Sequence, residues 1–169
     1  FGSGGDETAG VLGDFAWSFD AAREAGLGLT AHAGEWGGPE SVRSALDDLQ
    51  VSRIGHGVRA IEDLALVDRL VEDGIVLEVC PGSNIALGVY PDWQAHPIER
   101  LRERGVTVTV STDDPPFFHT TMAREYEELN RAFGWDEDAF RDLAEASAEA
   151  AFSPDAGKAL ARANAALPG

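Results

Sequence analysis

"LGLTAHAGEWGGPESVRSALDDL", residues 27–49, contains one complete unit of a strand, a loop and a helix. The apolar run at 27–32 has the length of a buried strand, and Gly37 and Gly38 interrupt the pattern after it. Pro39 then stands at the first position of the next segment, where a helix tolerates proline best. The stretch therefore predicts a β/α unit that places His32 and Glu35 at the carboxyl end of its strand.

The same unit recurs along the chain. Strands are predicted at 27–32, 52–57, 75–80 and 106–114, with the end of a further strand at "FGSGG" (1–5). Helices are predicted at 14–25, 39–49, 62–74, 96–105, 120–133, 136–150 and 154–166, with Gly26, Gly74 and Gly105 ending three of them. This alternation predicts one α/β domain over residues 1–169, with parallel strands joined by right-handed crossovers.

The composition narrows the possible partners and the compartment. With 13 basic and 30 acidic side chains the net charge is −17, which argues against a nucleic acid or an anionic membrane as partner. No apolar run approaches the roughly 20 residues of a membrane helix. Cys80 is the single cysteine, which excludes an intrachain disulfide and a zinc cluster of thiolates. A cytoplasmic location is the expectation.

The residues with the most chemical capability follow the predicted strands. Successive strands are followed by His32 and Glu35, by His56, by Cys80 with Ser83 and Asn84, and by Asp113 with Asp114. The carboxyl ends of parallel strands meet at one edge of a sheet, and the loops there form the active sites of α/β proteins. We therefore expect these side chains to share one pocket.

The residue types in this pocket suit a metal. Imidazole nitrogen and carboxylate oxygen are zinc ligands, and water activated by such a metal is a nucleophile at neutral pH. Glu35 becomes a candidate proton donor if burial raises its pKa. Asp114, next to Asp113, is a candidate acceptor for a hydrogen bond from substrate or water.

Each of these residues also has a structural explanation when taken alone. Asp113, Asp114 and Pro115 are common residues where a chain leaves a strand. Cys80 fits a small buried apolar side chain. His96 and His119 lie near the starts of helices, where a structural role is the simpler interpretation. The shared position at the strand ends, more than any one residue, favours a functional site.

Five motifs together resemble the adenosine deaminase family of metal-dependent hydrolases. They are "GGDE" at 4–7, "AHAGE" at 31–35, "RIGHG" at 53–57, "EVCPGSN" at 78–84 and "STDDP" at 111–115. The resemblance extends over essentially the whole chain and includes the order and spacing of the motifs. It implies the C-terminal half of a (β/α)₈ TIM barrel, with about four strands, the end of a fifth and extra C-terminal helices.

The resemblance also implies a role for each matching residue. His32 and Asp113 would ligate zinc, and Glu35 would protonate the purine ring nitrogen N1. His56 would act as base or electrostatic anchor for the zinc-bound hydroxide that attacks C6. Asp114 would bind the purine at N7 and the hydroxyl formed at C6, while the backbone of Gly5 would meet the N3 edge.

One motif of the family is absent. Its members take two further zinc ligands from an H-x-H pair in the first half of the barrel, and the four histidines here are at positions 32, 56, 96 and 119. The chain is thus expected to need an N-terminal half as partner, and to be inactive or nearly so alone.

Three functions remain open on the sequence. The first is hydrolytic deamination of adenosine to inosine and ammonia. The nearest alternative is deamination of free adenine to hypoxanthine, because adenine deaminases share these motifs and the ribose contacts lie mostly in the other half of the barrel. The third is a purine-binding or interaction fragment without catalysis.

Overall fold

The computed structural model describes residues 1–153, 155–158 and 160. Five parallel strands form one sheet in the order in which they occur in the chain. They are β1 (Gly2–Ser3), β2 (Thr30–Ala33), β3 (Arg53–His56), β4 (Val76–Val79) and β5 (Thr107–Val110). Neighbouring strands that are consecutive in sequence and parallel are the arrangement of a (β/α)₈ barrel, here with five strands, so the predicted fold class is confirmed.

Helices lie in each connection between consecutive strands, and three more follow the last strand. They are α1 (Ala16–Glu24), α2 (Pro39–Asp47), α3 (Leu64–Glu72), α4 (Pro81–Ala86), α5 (Ile98–Glu103), α6 (Pro115–Phe118), α7 (Met122–Phe133) and α8 (Glu137–Ala150). Short 3₁₀ turns at Leu12–Phe15 and Val58–Glu62 complete the connections. Asp63, Thr121 and Asp136 accept hydrogen bonds from the first turns of α3, α7 and α8, which fixes where these helices begin.

The two faces of the sheet are chemically different. Register aligns Ala31, Ile54, Leu77 and Val108 in one row across β2 to β5, and all four are buried in the hydrophobic core with helix residues. The next residue of each strand points to the opposite face, because side chains alternate along a strand. That face carries polar residues, among them Glu78, which accepts a hydrogen bond from Thr30 Oγ1 at 2.5 Å.

The end of α8 and Phe152 just after it lie against the amino end of β3. Arg53, the first residue of β3, donates from Nη1 to the Ala150 carbonyl at 2.9 Å, and its guanidinium lies 3.6 Å from the centre of the Phe152 ring. Arg53 Nε also lies 3.1 Å from Glu78 Oε1, as an ion pair without the alignment of a hydrogen bond. The candidate site therefore lies at the other end of the sheet, where the strands finish.

Several element boundaries differ from the prediction. Gly26, Gly74 and Gly105 do follow helices and have left-handed φ values of 76°, 65° and 88°. The strand predicted at 106–114 spans only Thr107–Val110, and Asp113, three residues beyond its end, has a left-handed φ of 58°. The segment 14–25 begins with a 3₁₀ turn in place of a regular helix.

The sequence pattern does not predict the short helices α4 and α6. Each begins at a proline, Pro81 or Pro115, and is too short for an apolar repeat to show in the sequence. The helix predicted at 154–166 lies largely outside the described residues. Among the residues that are described, no helix has both the length and the apolar character needed to cross a membrane.

Candidate active site

The backbone at two strand exits is held in an unusual conformation. His56 closes β3 with a φ of 64°, and Asp113 follows β5 with a φ of 58°. Residues other than glycine rarely adopt this left-handed backbone conformation. Those that do are concentrated at functional sites, where the surrounding structure holds them in place. The two turns direct the chain over the carboxyl end of the sheet.

Glycines on both sides make room for the His32 ring. His32 pairs in register with Gly55 on β3, and a Cβ built on Gly55 would lie 2.6 Å from His32 Cδ2. A Cβ on Gly4, just after β1, would lie 3.3 Å from the same ring. The imidazole thus occupies space that a side chain at position 55 would need, which explains the glycine there, and it packs tightly against Gly4.

A buried polar cluster joins three of the strand ends. Asn84 Nδ2 donates to Glu35 Oε1 at 2.8 Å and lies 3.4 Å from His56 Nδ1. His56 Nδ1 is also 3.4 Å from Glu35 Oε1, and its ring meets the His32 ring edge to face at 4.8 Å between centres. Glu35, His56 and Asn84 are all buried. The structure therefore brings Glu35, His56 and His32 together, as the sequence predicts.

The environment shifts the two central pKa values in opposite directions. Burial, then the charge of Asp113, raises the pKa of Glu35 to about 7. Burial, then His32, lowers the pKa of His56 to about 4. At neutral pH Glu35 can therefore hold a proton while His56 is neutral, which separates a potential acid from a potential base.

Asp113 reaches the same cluster from β5. Ser83 Oγ donates to Asp113 Oδ2 at 2.7 Å. One ligand atom each of His56, Cys80 and Asp113 lies within 4.8 Å of the others. Burial is the largest cause, and the charge of Asp113 the next, that raises the pKa of Cys80 to about 12, so without a metal ion the sulfur is a protonated thiol at neutral pH.

Side chains in and beside this cluster have the donor atoms that zinc binds, imidazole nitrogen and carboxylate oxygen. Asp113 and His56 belong to the cluster itself, and the His32 ring lies against the His56 ring. The hydrogen bond from Ser83 orients the Asp113 carboxylate, as outer partners commonly do at metal sites. A full tetrahedral set needs further ligands besides His32 and Asp113.

The predicted substrate contacts lie at the rim of this cluster. Gly5 has a φ of 104° and lines a cavity of about 180 Å³ together with His32 and Glu7. Asp114 is exposed and caps the N-terminus of α6, where its carbonyl accepts from Phe117 and Phe118 at 3.0 Å. The structure thus places Gly5 beside His32, whereas Asp114 lies at the start of α6.

Glu7 has a role that the sequence interpretation missed. Its carboxylate accepts hydrogen bonds from the Glu35 amide at 2.9 Å, from the amides of Trp36 and Gly37, and from Ser41 Oγ at 2.9 Å. The loop that carries Glu35 is thereby tied to the loop after β1. Glu7 is the last residue of the motif "GGDE", but the resemblance gives a role only to Gly5 of that motif.

The sequence pattern places Ser83 and Asn84 near the pocket but does not indicate what either side chain does there. A buried carboxyl, Glu125 on α7, fixes the turn before them by accepting from the Gly82 amide at 2.9 Å and from Thr120 Oγ1 at 2.6 Å. Helix α4 then directs Ser83 to Asp113 and Asn84 to Glu35. In the sequence, the two polar residues directly after "CPG" indicate a place in the pocket. Their position at a strand end does not predict which side chains they bind.

Buried His96 makes the chain without added metal sensitive to acid. Burial lowers the pKa of His96 from 6.5 to about 3. Between these two pH values the His96 ring is protonated in the unfolded chain and neutral in the folded chain. Stability must then fall as pH decreases from 6.5 towards 3. We expect this residue to contribute a slope of about 1.4 kcal/mol per pH unit, and His96→Gln to remove it.

Urea unfolding of the chain and of His96→Gln at several pH values measures that difference. Exposed His119 provides the control, because His119→Gln should leave the slope unchanged. An equal pH slope for the chain and for His96→Gln would contradict the expectation.

The chain matches known proteins over nearly its whole length. The family model described as adenosine deaminase matches residues 1–164. An adenine deaminase of Rhizobium leguminosarum bv. trifolii is 58% identical over 152 residues, which are 90% of this chain and 47% of that protein. The chain spans about half the length of the curated relatives it matches.

Solved structures agree with the fold and with the half-length match. The crystal structure of an adenine deaminase from Arthrobacter aurescens aligns with a TM-score of 0.90 at 34% identity, over 97% of this chain and 51% of that one. An amidohydrolase from Burkholderia ambifaria with bound Zn aligns with a TM-score of 0.84 at 30% identity, over 96% and 46% of the two chains. With its fold, its motifs and the family model in agreement, the chain belongs to the adenosine deaminase family.

Proposed function

We propose that this chain is the carboxyl-terminal half of an adenine deaminase, which hydrolyses adenine to hypoxanthine and ammonia. The observation that carries the proposal is the buried cluster of Glu35, His56 and Asn84 beside His32 and Asp113, with the pKa of Glu35 raised to about 7. Adenosine is the first expectation from the motifs. The relatives named adenine deaminase, at 58% and 56% identity, favour free adenine instead.

The reaction needs a proton donor and an activated water on the same side of the purine ring. His32 and Asp113 would hold zinc, which when bound supplies Lewis-acid activation of water. Glu35 holds a proton near neutral pH and would donate it to ring nitrogen N1, so that the ring can accept electrons as C6 is attacked. His56 is neutral and would accept the proton of the attacking water.

Two further residues would orient the substrate. We propose that Asp114 hydrogen-bonds the purine at N7 from its exposed position after Asp113, and that the Gly5 amide meets the N3 edge from the cavity beside His32. A purine is flat and apolar on its faces, so a few polar groups at its edge can fix its orientation.

The site is proposed to be completed by an N-terminal half of the barrel. A (β/α)₈ barrel closes with eight strands, whereas β1 and β5 here each pair on one side within the sheet of five. His32 and Asp113 are also fewer protein ligands than the three of a typical catalytic zinc site. We use the term completed barrel for this chain together with such a half, carrying an H-x-H pair.

Turnover by the completed barrel tests the proposal. We expect adenine to be converted to hypoxanthine with release of one ammonia, and the chain alone to show little activity. Adenosine is assayed in parallel, and faster conversion of adenosine to inosine would overturn the choice of substrate. A folded, zinc-loaded completed barrel that converts neither purine would overturn the enzymatic function.

A further inference from the structure

His96 lies behind the site and is one of the most buried polar residues of the chain. It precedes α5, with its side chain 2% exposed, and its ring packs edge to face against Tyr90 at 5.1 Å between centres. Both ring nitrogens have polar partners. Nδ1 lies 3.2 Å from the Ile98 amide nitrogen, and Nε2 lies 3.1 Å from Asn84 Oδ1.

The Ile98 partner decides which nitrogen of His96 carries the proton. A backbone N–H can only donate, so Nδ1 must accept and therefore be unprotonated. The neutral ring then carries its hydrogen on Nε2, which donates to Asn84 Oδ1. Burial lowers the pKa of His96 to about 3, which agrees with a neutral ring.

The proton on His96 in turn decides the orientation of the Asn84 amide. With Oδ1 accepting from His96, the NH₂ group of Asn84 faces Glu35 Oε1 at 2.8 Å. A flipped amide would set its NH₂ against the His96 N–H, so that hydrogen bond would be lost, and Glu35 Oε1 would face an oxygen in place of the N–H donor. Asn84 is fully buried, so a polar group left without a partner there would destabilise the flipped form.

We propose that His96 is a positioning residue for Glu35, acting through Asn84. The Ile98 amide, His96 and Asn84 form a relay of hydrogen bonds with one direction, which ends on Glu35 Oε1. Because Oε1 accepts the amide hydrogen, Oε2 is the oxygen that carries the proton to be donated. The role of Oε2 as the proton-donating oxygen depends on the proposed function, whereas the hydrogen bonds of the relay do not.

A spectroscopic measurement tests the relay without any turnover. In the completed barrel labelled with ¹⁵N-histidine, His96 should show the Nε2–H form, with Nδ1 unprotonated and one Nε2–H that exchanges slowly. The chain contributes four histidines to the spectrum, and His96→Gln assigns the signal by removing it. A ring protonated on Nδ1, or on both nitrogens at neutral pH, would overturn the relay even if the enzyme is active.

Two matched variants separate positioning from packing. In His96→Gln the side-chain NH₂ can replace Nε2–H as donor to Asn84, whereas the acceptor for the Ile98 amide is lost. In His96→Asn the side-chain oxygen can replace Nδ1 as that acceptor, but the shorter side chain cannot reach Asn84. The proposal expects His96→Gln to keep most of the turnover, and His96→Asn to lower kcat by ~10- to 100-fold with a smaller change in KM.

The opposite order would overturn the proposal. If His96 only supports the start of α5, His96→Asn should match or exceed His96→Gln in both unfolding free energy and kcat. Asn84→Asp provides a second test, because it keeps the shape of the side chain but replaces the donor to Glu35 with an oxygen, and its loss of kcat should equal that of His96→Asn. If the enzyme is active and Asn84→Asp retains full kcat, the relay is contradicted. If the completed barrel has no turnover but His96 carries its proton on Nε2, only the proposed function is contradicted.

Discussion

Glu35→Gln in the completed barrel is expected to lower kcat for adenine by ~10²- to 10⁴-fold, the usual contribution of a positioned acid or base. Glutamine retains an oxygen that can accept the hydrogen bond from Asn84 at the position of Oε1. It cannot release a proton to the ring, so the loss should fall on the chemical step while the fold persists. Steady-state assays with adenine, alongside unfolding curves, measure both quantities.

The control for this substitution is Glu72→Gln. Glu72 ends α3 on the exposed surface, so the same chemical change should leave kcat unaltered there. Retention of wild-type kcat by Glu35→Gln would remove Glu35 from the role of proton donor.

The pH profile of the wild-type completed barrel follows from the same carboxyl. Burial raises the pKa of Glu35 from 4.5 to about 7, and the donor must be protonated to act. We therefore expect kcat/KM to fall as pH increases through about 7. The raised pKa also means that this carboxyl favours the folded state most at pH below 4.5, a contribution that is lost as pH increases through about 7.

Gly55→Ala is expected to damage the metal site by displacing a ligand, without replacing one. The added methyl group would lie 2.6 Å from His32 Cδ2, closer than carbon atoms approach, so the imidazole must move. We expect the zinc affinity of the completed barrel to fall ~10- to 100-fold, a typical result when the support of a ligand is disturbed. Overpacking should also lower the free energy of unfolding by about 1–3 kcal/mol.

Calorimetric titration with zinc and chemical unfolding measure these two effects. Gly157→Ala is a matched control, because a Cβ built on Gly157 has no heavy atom within 4 Å. Unchanged zinc affinity in Gly55→Ala would show that His32 does not depend on this space, and would contradict its proposed role as a ligand.

The sequence located the site better than it described the contacts within it. His32, Glu35, His56 and Asp113 were placed at one edge by strand order alone, because parallel strands must present their carboxyl ends together. Glu7 and His96 were not assigned roles, since each acts through a partner far away in sequence. Glu7 contacts Glu35, 28 residues away in sequence, and His96 contacts Asn84, 12 residues away. Such separations match no helix or strand periodicity, so a sequence pattern cannot reveal them.

The sequence by itself determined the order of the strands and of the helices other than α4 and α6. It also determined the ends of helices at Gly26, Gly74 and Gly105, and the kind of chemistry at the strand ends. These features depend on periodicity, backbone freedom and residue type, which are local properties of the chain. Only the tertiary structure decided which groups share protons and how strongly burial shifts their pKa values. Hydrogen-bond direction and desolvation depend on distances of a few ångströms between different strands, so the pairing of His96 with Asn84, and of Asn84 with Glu35, exists only once the sheet has formed.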